Sequence, residues 1–310
     1  MLSLHTNAAT LSAQNSISRT QTSLSTSMTR LSTGYRINSA MDDAAGLQIA
    51  TRLKAQTSGM AVAMRNTQNS ISMLQTAEGA LDEVTNILTR MKDLATQAAD
   101  GSSSAADQGA MQKEYNSLTK ELSNIVANTS FGGAKLLNNG TDGKFTAAIN
   151  FQIGADSTEK MEFDVSDAGT SKSLKGMHDA IKAAAAAFDG GAGVAAGATA
   201  GKEIYDNIAT PSAAQGALNA NATIGNLQTA IEKVSTLRSE MGAAANRLDH
   251  VYNNLANVST NTKNATGRIM DVDFASESSS MTSNQMLMQA GTAMLKQTNS
   301  MSSMVMSLLQ

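Results

Sequence analysis

A seven-residue repeat of apolar side chains constrains the fold of this chain more than any other feature. The most regular repeat lies between about residues 223 and 262, and its main row is Leu227, Val234, Met241, Leu248 and Leu255. A second row runs between residues 60 and 99 and comprises Met60, Thr67, Leu74, Leu81, Leu88 and Ala95. Residues 111–125 show a shorter pattern of the same kind. Such repeats predict long helices with one apolar face each, and an antiparallel bundle buries three such faces together.

Both ends of the chain combine helical periodicity with very little charge. Residues 1–41 contain three arginines and no acid, and after Glu277 the only charged side chain is Lys296. Apolar residues still recur at helical spacing, at Leu4, Leu11, Ile17, Leu24 and Leu31 near one end and Leu287, Met294, Met301, Val305, Leu308 and Leu309 near the other. An isolated amphipathic helix of this length is marginal in water, and neither stripe has an evident partner within the chain. We therefore predict an assembly subunit, with these residues as the candidates for self-assembly.

The remaining segments are shorter and less regular. Residues Phe145–Ile153 and Met161–Val165 alternate apolar with polar side chains around a glycine-containing turn, which predicts a β-hairpin. Asp42 and Asp43 favour a polar hinge or a helix cap over a metal site. Residues 169–221 lose the periodicity and become rich in glycine, which indicates a small surface domain or a flexible insertion outside the bundle core.

The predicted fold is mainly α: a long antiparallel helical bundle with terminal coiled-coil helices, one β-hairpin and a small outer insertion. The predicted domains are an N-terminal helix at 1–42, bundle helices and hairpin at 43–168, the insertion at 169–221, a returning bundle helix at 222–267, and a C-terminal connector and helix at 268–310.

Composition argues against several classes of function. The net charge is -3 without a dense basic run, which disfavours nucleic acid as a partner. The chain has no cysteine, and its three histidines lie far apart, so we expect no catalytic residue, no metal site, no cofactor and no enzyme activity. No stretch approaches the roughly 20 apolar residues of a membrane span. The first residues also lack the basic and apolar regions of a general secretory signal.

Several motifs resemble those of one protein family. The stretch LSTGYRINSAMDDAAGLQIATRL at Leu31–Leu53 resembles the N-terminal signature of bacterial flagellins, whose usual form is close to LSSGLRINSAKDDAAG. Tyr35 and Met41 are departures from that form. The resemblance continues through 128–138, through the predicted hairpin, and through 236–247 and 268–310.

This resemblance implies a structural subunit that self-assembles into the helical flagellar filament used for motility. In this family the terminal helices form a coiled coil in the inner tube, and the chain leaves the cell unfolded through the flagellar type III apparatus. The implied partners are many copies of the same chain, the filament cap and hook-junction proteins and a flagellar export chaperone, and the implied location is the extracellular flagellum. The alternatives are a hook–filament junction protein and a secreted coiled-coil adhesin.

The resemblance also implies recognition by a host Toll-like flagellin receptor. The family's contact motif maps onto Arg90 and Leu94, with Glu114 nearby on the next predicted helix. Arg90 and Leu94 are four residues apart, so they are expected to share one helix face.

Overall fold

A computed structural model describes residues 8–139, 142–166, 173–188, 202–205 and 212–308 of the chain. Within these residues the elements follow one another as α1 (Ala8–Thr33), α2 (Ala44–Ala98), α3 (Ala105–Asn128), β1 (Ser130–Phe131), β2 (Ala134–Lys135), a 3-10 turn (Lys144–Thr146), β3 (Ile149–Gln152), β4 (Lys160–Phe163), α4 (Leu174–Ala184), α5 (Ala213–Met270) and α6 (Phe274–Leu308). The chain divides into two compact units, one from Gly59 to Asn257 and one drawn from Met1–Ser58 and Val258–Gln310.

The unit from Gly59 to Asn257 is built on the predicted apolar rows. Every member of the α2 row is buried, from Met60 to Ala95, and so are Leu227, Val234, Met241 and Leu248 on α5. Arg238 on α5 lies at the edge of the core and pairs with Asp82 on α2 at 2.9 Å. The helix period therefore predicted the inward face of both helices correctly.

Polar pairs between the helices show that neighbours run in opposite directions. Between α2 and α3, Arg90 contacts Glu114, and the side chain of Gln108 donates to the carbonyl of Ala98 at 3.0 Å. Thus residues late in α2 face residues early in α3. Ser104 caps the start of α3 in a reciprocal capping box with Asp107, which explains the sharp turn between these two helices. The predicted antiparallel bundle is confirmed.

Two small antiparallel sheets follow α3. The predicted hairpin is present as β3 and β4, with Phe151 opposite Met161, although the residues around Phe145 form the 3-10 turn instead of extending the strand. The ring of Phe163 packs edge-on against Phe145 at 5.8 Å and stacks with Phe151 at 6.3 Å between ring centroids. A second pair, β1 with β2, was not predicted, because its strands of two residues each are too short to show a period.

The expectation that residues 169–221 lie outside the bundle core is wrong for the part that the structure describes. Within this range α4 buries Leu174, Met177 and Ile181 in the same apolar cluster as the bundle helices. The hydroxyl of Tyr115 on α3 donates to the carbonyl of Ala184 at 2.7 Å, and burial raises the pKa of that hydroxyl. Sequence periodicity missed this packing because one apolar face of an 11-residue helix spans too few turns to form a heptad row.

A four-residue segment of the same insertion is also held against the bundle. Ile204 is fully buried, and its backbone N–H donates to the side chain of Gln112 on α3 at 2.9 Å. The carboxylate of Glu203 accepts from Gln112 at 2.8 Å and from the backbone of Ala186 at 3.1 Å. This segment therefore completes the core beside α3 and α4. Residues 169–172, 189–201 and 206–211 of the predicted insertion lie outside the described residues.

Helix limits differ from the predicted ones in two places. The helix α2 begins at Ala44 and passes through Gly59, well before the predicted row that starts at Met60. Among these residues, the turn before Ala44 separates α2 from α1. The helix α5 begins at Ala213 and ends at Met270, so it passes through the predicted boundaries at 221/222 and 267/268. The alanine-rich sequence after Pro211 supports helix by intrinsic propensity, even though it lacks a heptad row.

We expect the substitution Ile181→Ala in α4 to lower the free energy of unfolding of the bundle by about 2–5 kcal/mol, because it leaves a cavity in a fully buried site. Lys182→Ala, at the exposed neighbouring position, should change it by less than about 0.5 kcal/mol. Urea unfolding followed by circular dichroism measures both. Equal stability of the two variants would show that α4 is not part of the cooperative core.

His178 on α4 is a buried titratable group in this core. One ring nitrogen, Nε2, lies 2.8 Å from the carbonyl oxygen of Leu137, so the neutral tautomer with a proton on Nε2 donates there. The ring also packs against Phe188, at 5.6 Å between centroids. Burial lowers the pKa of His178 from 6.5 to about 4, and the bond to Leu137 and the charge of Asp179 oppose only part of that effect.

This lowered pKa makes stability depend on pH. The unfolded chain binds a proton on His178 near pH 6.5, whereas the folded chain binds it only near pH 4, so stability falls as the pH drops through this window. We expect protonation of His178 to lower the free energy of unfolding by about 2–3 kcal/mol at the acidic end of this window. His178→Gln keeps a hydrogen-bond donor for the carbonyl of Leu137 but cannot titrate. Between pH 7 and pH 4.5, the free energy of unfolding of this variant should therefore fall by about 2–3 kcal/mol less than that of the wild type. Parallel pH profiles of the two proteins would contradict this account.

Candidate assembly surface

The helices α1 and α6 pack against each other in antiparallel orientation. Arg30, late in α1, faces Glu277 in the first turn of α6, and Ile17, earlier in α1, lies against Gly291 further along α6. Half-buried residues mark the contact: Ile17, Leu24 and Leu31 on α1, and Met281, Met288 and Leu295 on α6. The expectation that each terminal stripe lacks a partner within the chain is therefore wrong, because part of each stripe covers the other.

Gly291 allows the two helices to approach closely. A Cβ atom at this position would lie 2.8 Å from Cγ1 of Ile17, well inside van der Waals contact. A larger residue would push Ile17 aside or separate the helices. The QAG motif at 289–291 thus has a packing reason in this structure.

The turn after α1 is fixed by backbone pairing with the end of α5. Gly34 ends α1 with a φ of 75°, a left-handed conformation that glycine adopts without strain. Its carbonyl accepts from the N–H of Val272 at 3.0 Å, and the N–H of Arg36 donates to the carbonyl of Met270 at 2.6 Å. The guanidinium of Arg36 donates to the carbonyl of Ile269, the residue before Met270, at 2.9 Å. A cation at the carboxyl end of a helix is favourable because unpaired carbonyls concentrate there.

Two aspartates hold the second half of this turn. Asp42 Oδ2 accepts from the backbone N–H groups of Asn38 and Ser39 at 3.0 and 2.8 Å, and these bonds lower the pKa of its carboxyl group. Asp43 Oδ1 accepts from the N–H of Gly46 at 2.8 Å and so caps the start of α2. Of the two predicted roles, capping is confirmed for Asp43. Arg30 lies 3.9 Å from Asp42 and 3.7 Å from Glu277, and so joins the turn to both terminal helices.

The pairing of α1 with α6 leaves a second set of apolar side chains in solvent. Leu287 and Met294 on α6 are 60% and 65% exposed, and Leu11 on α1 is 59% exposed. Met28 on α1 and Met286 on α6 are exposed to a similar degree. Leu287 and Met294 are seven residues apart, directly beside the half-buried row of Met288 and Leu295. The α1–α6 pair therefore carries one apolar face inside and another outside.

The predicted self-assembly residues separate accordingly. Ile17, Leu24 and Leu31 lie in the contact between α1 and α6, whereas Leu11, Leu287 and Met294 face solvent. Met301, Val305 and Leu308 lie within the span of α6, but their side chains are outside the described residues, as are Leu4 and Leu309. Met288 and Leu295 lie beside the Leu287 row and were not among the predicted self-assembly residues. Their spacing of seven was the signal that they form a row of their own.

The predicted receptor-contact residues lie in the other unit and do not share one environment. Arg90 on α2 forms an exposed ion pair with Glu114 on α3, in which Nε and Nη2 donate to the same carboxylate oxygen at 3.0 and 2.7 Å. Leu94 is only 3% exposed and belongs to the bundle core. Arg90 and Leu94 lie on one side of α2, about 40° apart around the helix axis, but this step crosses the edge of the core, so Leu94, unlike Arg90, is not accessible at the surface.

The comparison with known families agrees with this architecture. Residues 4–142 match the bacterial flagellin N-terminal helical region, and residues 224–309 match the bacterial flagellin C-terminal helical region. The chain belongs to the bacterial flagellins. It is 36% identical to flagellin A of Vibrio anguillarum and 34% identical to flagellin A of Vibrio cholerae. In both comparisons the similarity covers the full length of the two chains.

This flagellin is a structural subunit of the flagellar filament, which is extracellular. Among solved structures it is similar to that of Bacillus cereus flagellin, with 30% identity and a TM-score of 0.44 over 62% of this chain and 88% of that one. No helix in the described ranges is long and apolar enough to cross a membrane. Among the same residues, no group of three histidine or acidic side chains is arranged to hold a metal ion.

Proposed function

We propose that this flagellin polymerises through the outward faces of α1 and α6. The observation that carries the proposal is the exposure of the apolar side chains Leu11, Leu287 and Met294, which the α1–α6 pair leaves in solvent although part of each terminal stripe lies in the contact between the two helices. Burial of one such side chain is worth about 1.5–3 kcal/mol. Only a part of this burial free energy becomes binding affinity, because association also restricts the motion of both partners. Side chains on a helix pair that is already ordered by an internal contact lose less conformational entropy on association than side chains on a flexible tail.

The predicted row extends beyond the side chains that the structure describes. By sequence spacing, Met301 and Leu308 continue the period of Leu287 and Met294, with Val305 and Leu309 beside them. Leu4 precedes Leu11 by the same interval of seven. We include these residues in the proposed assembly surface on that spacing alone, together with the inner-tube location that is typical of the family.

The low charge of both terminal segments supports the same proposal. A helical polymer places many copies of each terminal helix side by side, and acids repeated at short distances in a partly desolvated tube would repel one another. On α6, Lys296 is the only charged residue after Glu277, and Glu277 itself faces Arg30. Serine, threonine, asparagine and glutamine keep such a wall hydrated without adding charge.

We propose the remaining partners and the export route on the basis of family membership. The proposed route is passage of the unfolded chain through the flagellar type III apparatus, with an export chaperone before passage and the filament cap and hook-junction proteins afterwards. Full-length identity of 36% to a flagellin supports this assignment over a hook–filament junction protein or a secreted coiled-coil adhesin.

We expect the double substitution Leu287→Asn and Met294→Asn to abolish filament formation, since it makes the exposed row polar and leaves the buried contact with α1 intact. The matched control is Gln297→Asn, at an exposed polar position of the same helix. Sedimentation and electron microscopy of seeded protein measure polymerisation, and circular dichroism checks that both variants remain helical. Filaments of normal yield from the double variant would refute the assignment of this row.

We further propose that the monomer is recognised by a host Toll-like flagellin receptor through Arg90 and Glu114. Their ion pair places a cation and an anion side by side on the exposed surface of α2 and α3. Such an exposed pair adds little to stability, so both groups are free to exchange partners at a small cost of about 0–1 kcal/mol. Leu94 acts indirectly, since its packing in the bundle core holds α2 in place.

Arg90→Ala should reduce receptor signalling by purified monomer about tenfold or more, as expected for an arginine anchor in an interface. Lys120→Ala, an exposed position on α3, should leave signalling unchanged. Leu94→Ala should lower the melting temperature, whereas Arg90→Ala should not. A reporter-cell assay and thermal unfolding provide the two measurements. A wild-type monomer that does not signal would exclude the activity, and an unaffected Arg90→Ala variant would exclude this site.

A further inference from the structure

Met41 is an apolar side chain presented to solvent on a fixed turn. It is 96% exposed, more than any other large apolar residue of the described ranges. The next two residues are tied down, since Asp42 accepts two backbone N–H bonds and faces Arg30, and Asp43 caps α2. The turn therefore holds Met41 outward without help from the side chain itself. A preorganised apolar side chain loses little freedom on binding, which is typical of an anchor residue.

A groove along α1 and α6 in the same unit has the complementary chemistry. It measures about 530 Å³, and its lining includes the apolar residues Leu24, Met28 and Met288 and the hydroxyl-bearing residues Ser25, Thr29 and Ser32. None of its lining residues is charged. Met28 is 57% exposed within it, so an entering apolar side chain would find an incompletely covered partner.

We infer that, in the filament, Met41 of one subunit docks into the groove around Leu24, Met28 and Met288 of a second copy of this chain. The inference rests on the proposed assembly through the terminal helices and adds a specific contact to it. The two aspartates beside Met41 accept hydrogen bonds from backbone N–H groups of the turn itself, so their negative charge is partly compensated there.

The geometry of a filament favours this occupant over a symmetric contact. A projection and a groove at different places on one molecule form a heterologous contact, in which each copy gives one surface and receives another. Such contacts propagate into open helical polymers, whereas a patch that meets its own copy closes into a dimer. Met41 lies in the turn after α1 and the groove lies along α1 and α6, so the two cannot be the same patch.

The absence of cysteine from the chain provides a direct test. Met41→Cys and Met28→Cys variants are mixed, polymerised from seeds and mildly oxidised. A disulfide requires Cα atoms about 4.4–6.8 Å apart, so a linked pair reports close contact. We expect a 41–28 disulfide between different subunits, in filaments but not in the unpolymerised mixture. The control pair of Met41→Cys with Gln297→Cys, an exposed position of α6 that does not line the groove, should give little product.

Filaments that form normally but lack the 41–28 disulfide would overturn this contact and leave the proposed assembly surface standing. Equal product from the control pair would overturn it as well. A second measurement uses the critical concentration for polymerisation. Met41→Lys, which restores the usual residue of the family signature, should raise that concentration about tenfold, the effect of losing one buried apolar contact. Met41→Leu conserves volume and should leave it nearly unchanged. Identical values for Lys and Leu would also reject the inference.

Discussion

Burial of one apolar stripe per helix is the constraint on which each unit of this flagellin depends. The chain has few aromatic residues, one proline and no cysteine, so neither disulfides nor a large aromatic core can hold it together. Stabilisation comes instead from leucine, methionine, isoleucine, valine and alanine on faces that meet along several helical turns. In the unit from Gly59 to Asn257 the faces of α2, α3 and α5 meet, and α4 and Ile204 complete the cluster. In the other unit the faces of α1 and α6 cover each other.

Polar groups serve a different purpose, which is to fix where helices begin, end and turn. Gly34, Arg36, Asp42 and Asp43 satisfy backbone groups that a helix terminus leaves without partners. Because these bonds are local and directional, they set the conformation of the turn after α1 independently of the apolar faces. This division of labour explains why the signature around this turn is rich in small and polar residues, while the helices themselves tolerate methionine at many positions.

The terminal helices use their apolar residues twice. The row of Met281, Met288 and Leu295 faces α1, and the adjacent row of Leu287 and Met294 faces solvent. A helix with apolar residues on two sides is poorly suited to a monomer in water, because exposed apolar area of this extent is favourable only when another surface covers it. A filament subunit satisfies this condition, since every copy has neighbours. The same helix pair can therefore be ordered by an internal contact and still present a face for assembly.

Much of the fold could be read from the sequence because heptad spacing is a local property. Residues seven apart, such as Leu74, Leu81 and Leu88, lie on the same face of a helix whichever helix packs against it. Periodicity therefore identified the bundle helices and the face that each one buries. Capping by Asp43 was predictable for the same reason, as it involves residues three apart. The flagellin signature then supplied the family, which periodicity alone could not have named.

Other features were decided only by tertiary structure, because they depend on which of several equivalent faces meets a neighbour. Spacing could not distinguish the Met288 row, which is half-buried against α1, from the Leu287 row one residue away, which is exposed. Nor could it show that Leu94 turns into the core while Arg90 stays in solvent. Ile204 and Glu203 dock onto Gln112 from about 90 residues away, and no local pattern marks such a contact. The sequence by itself determined which helices form and that each has an apolar face, since both follow from residues within a few turns, whereas the partner of each face was determined by long-range packing.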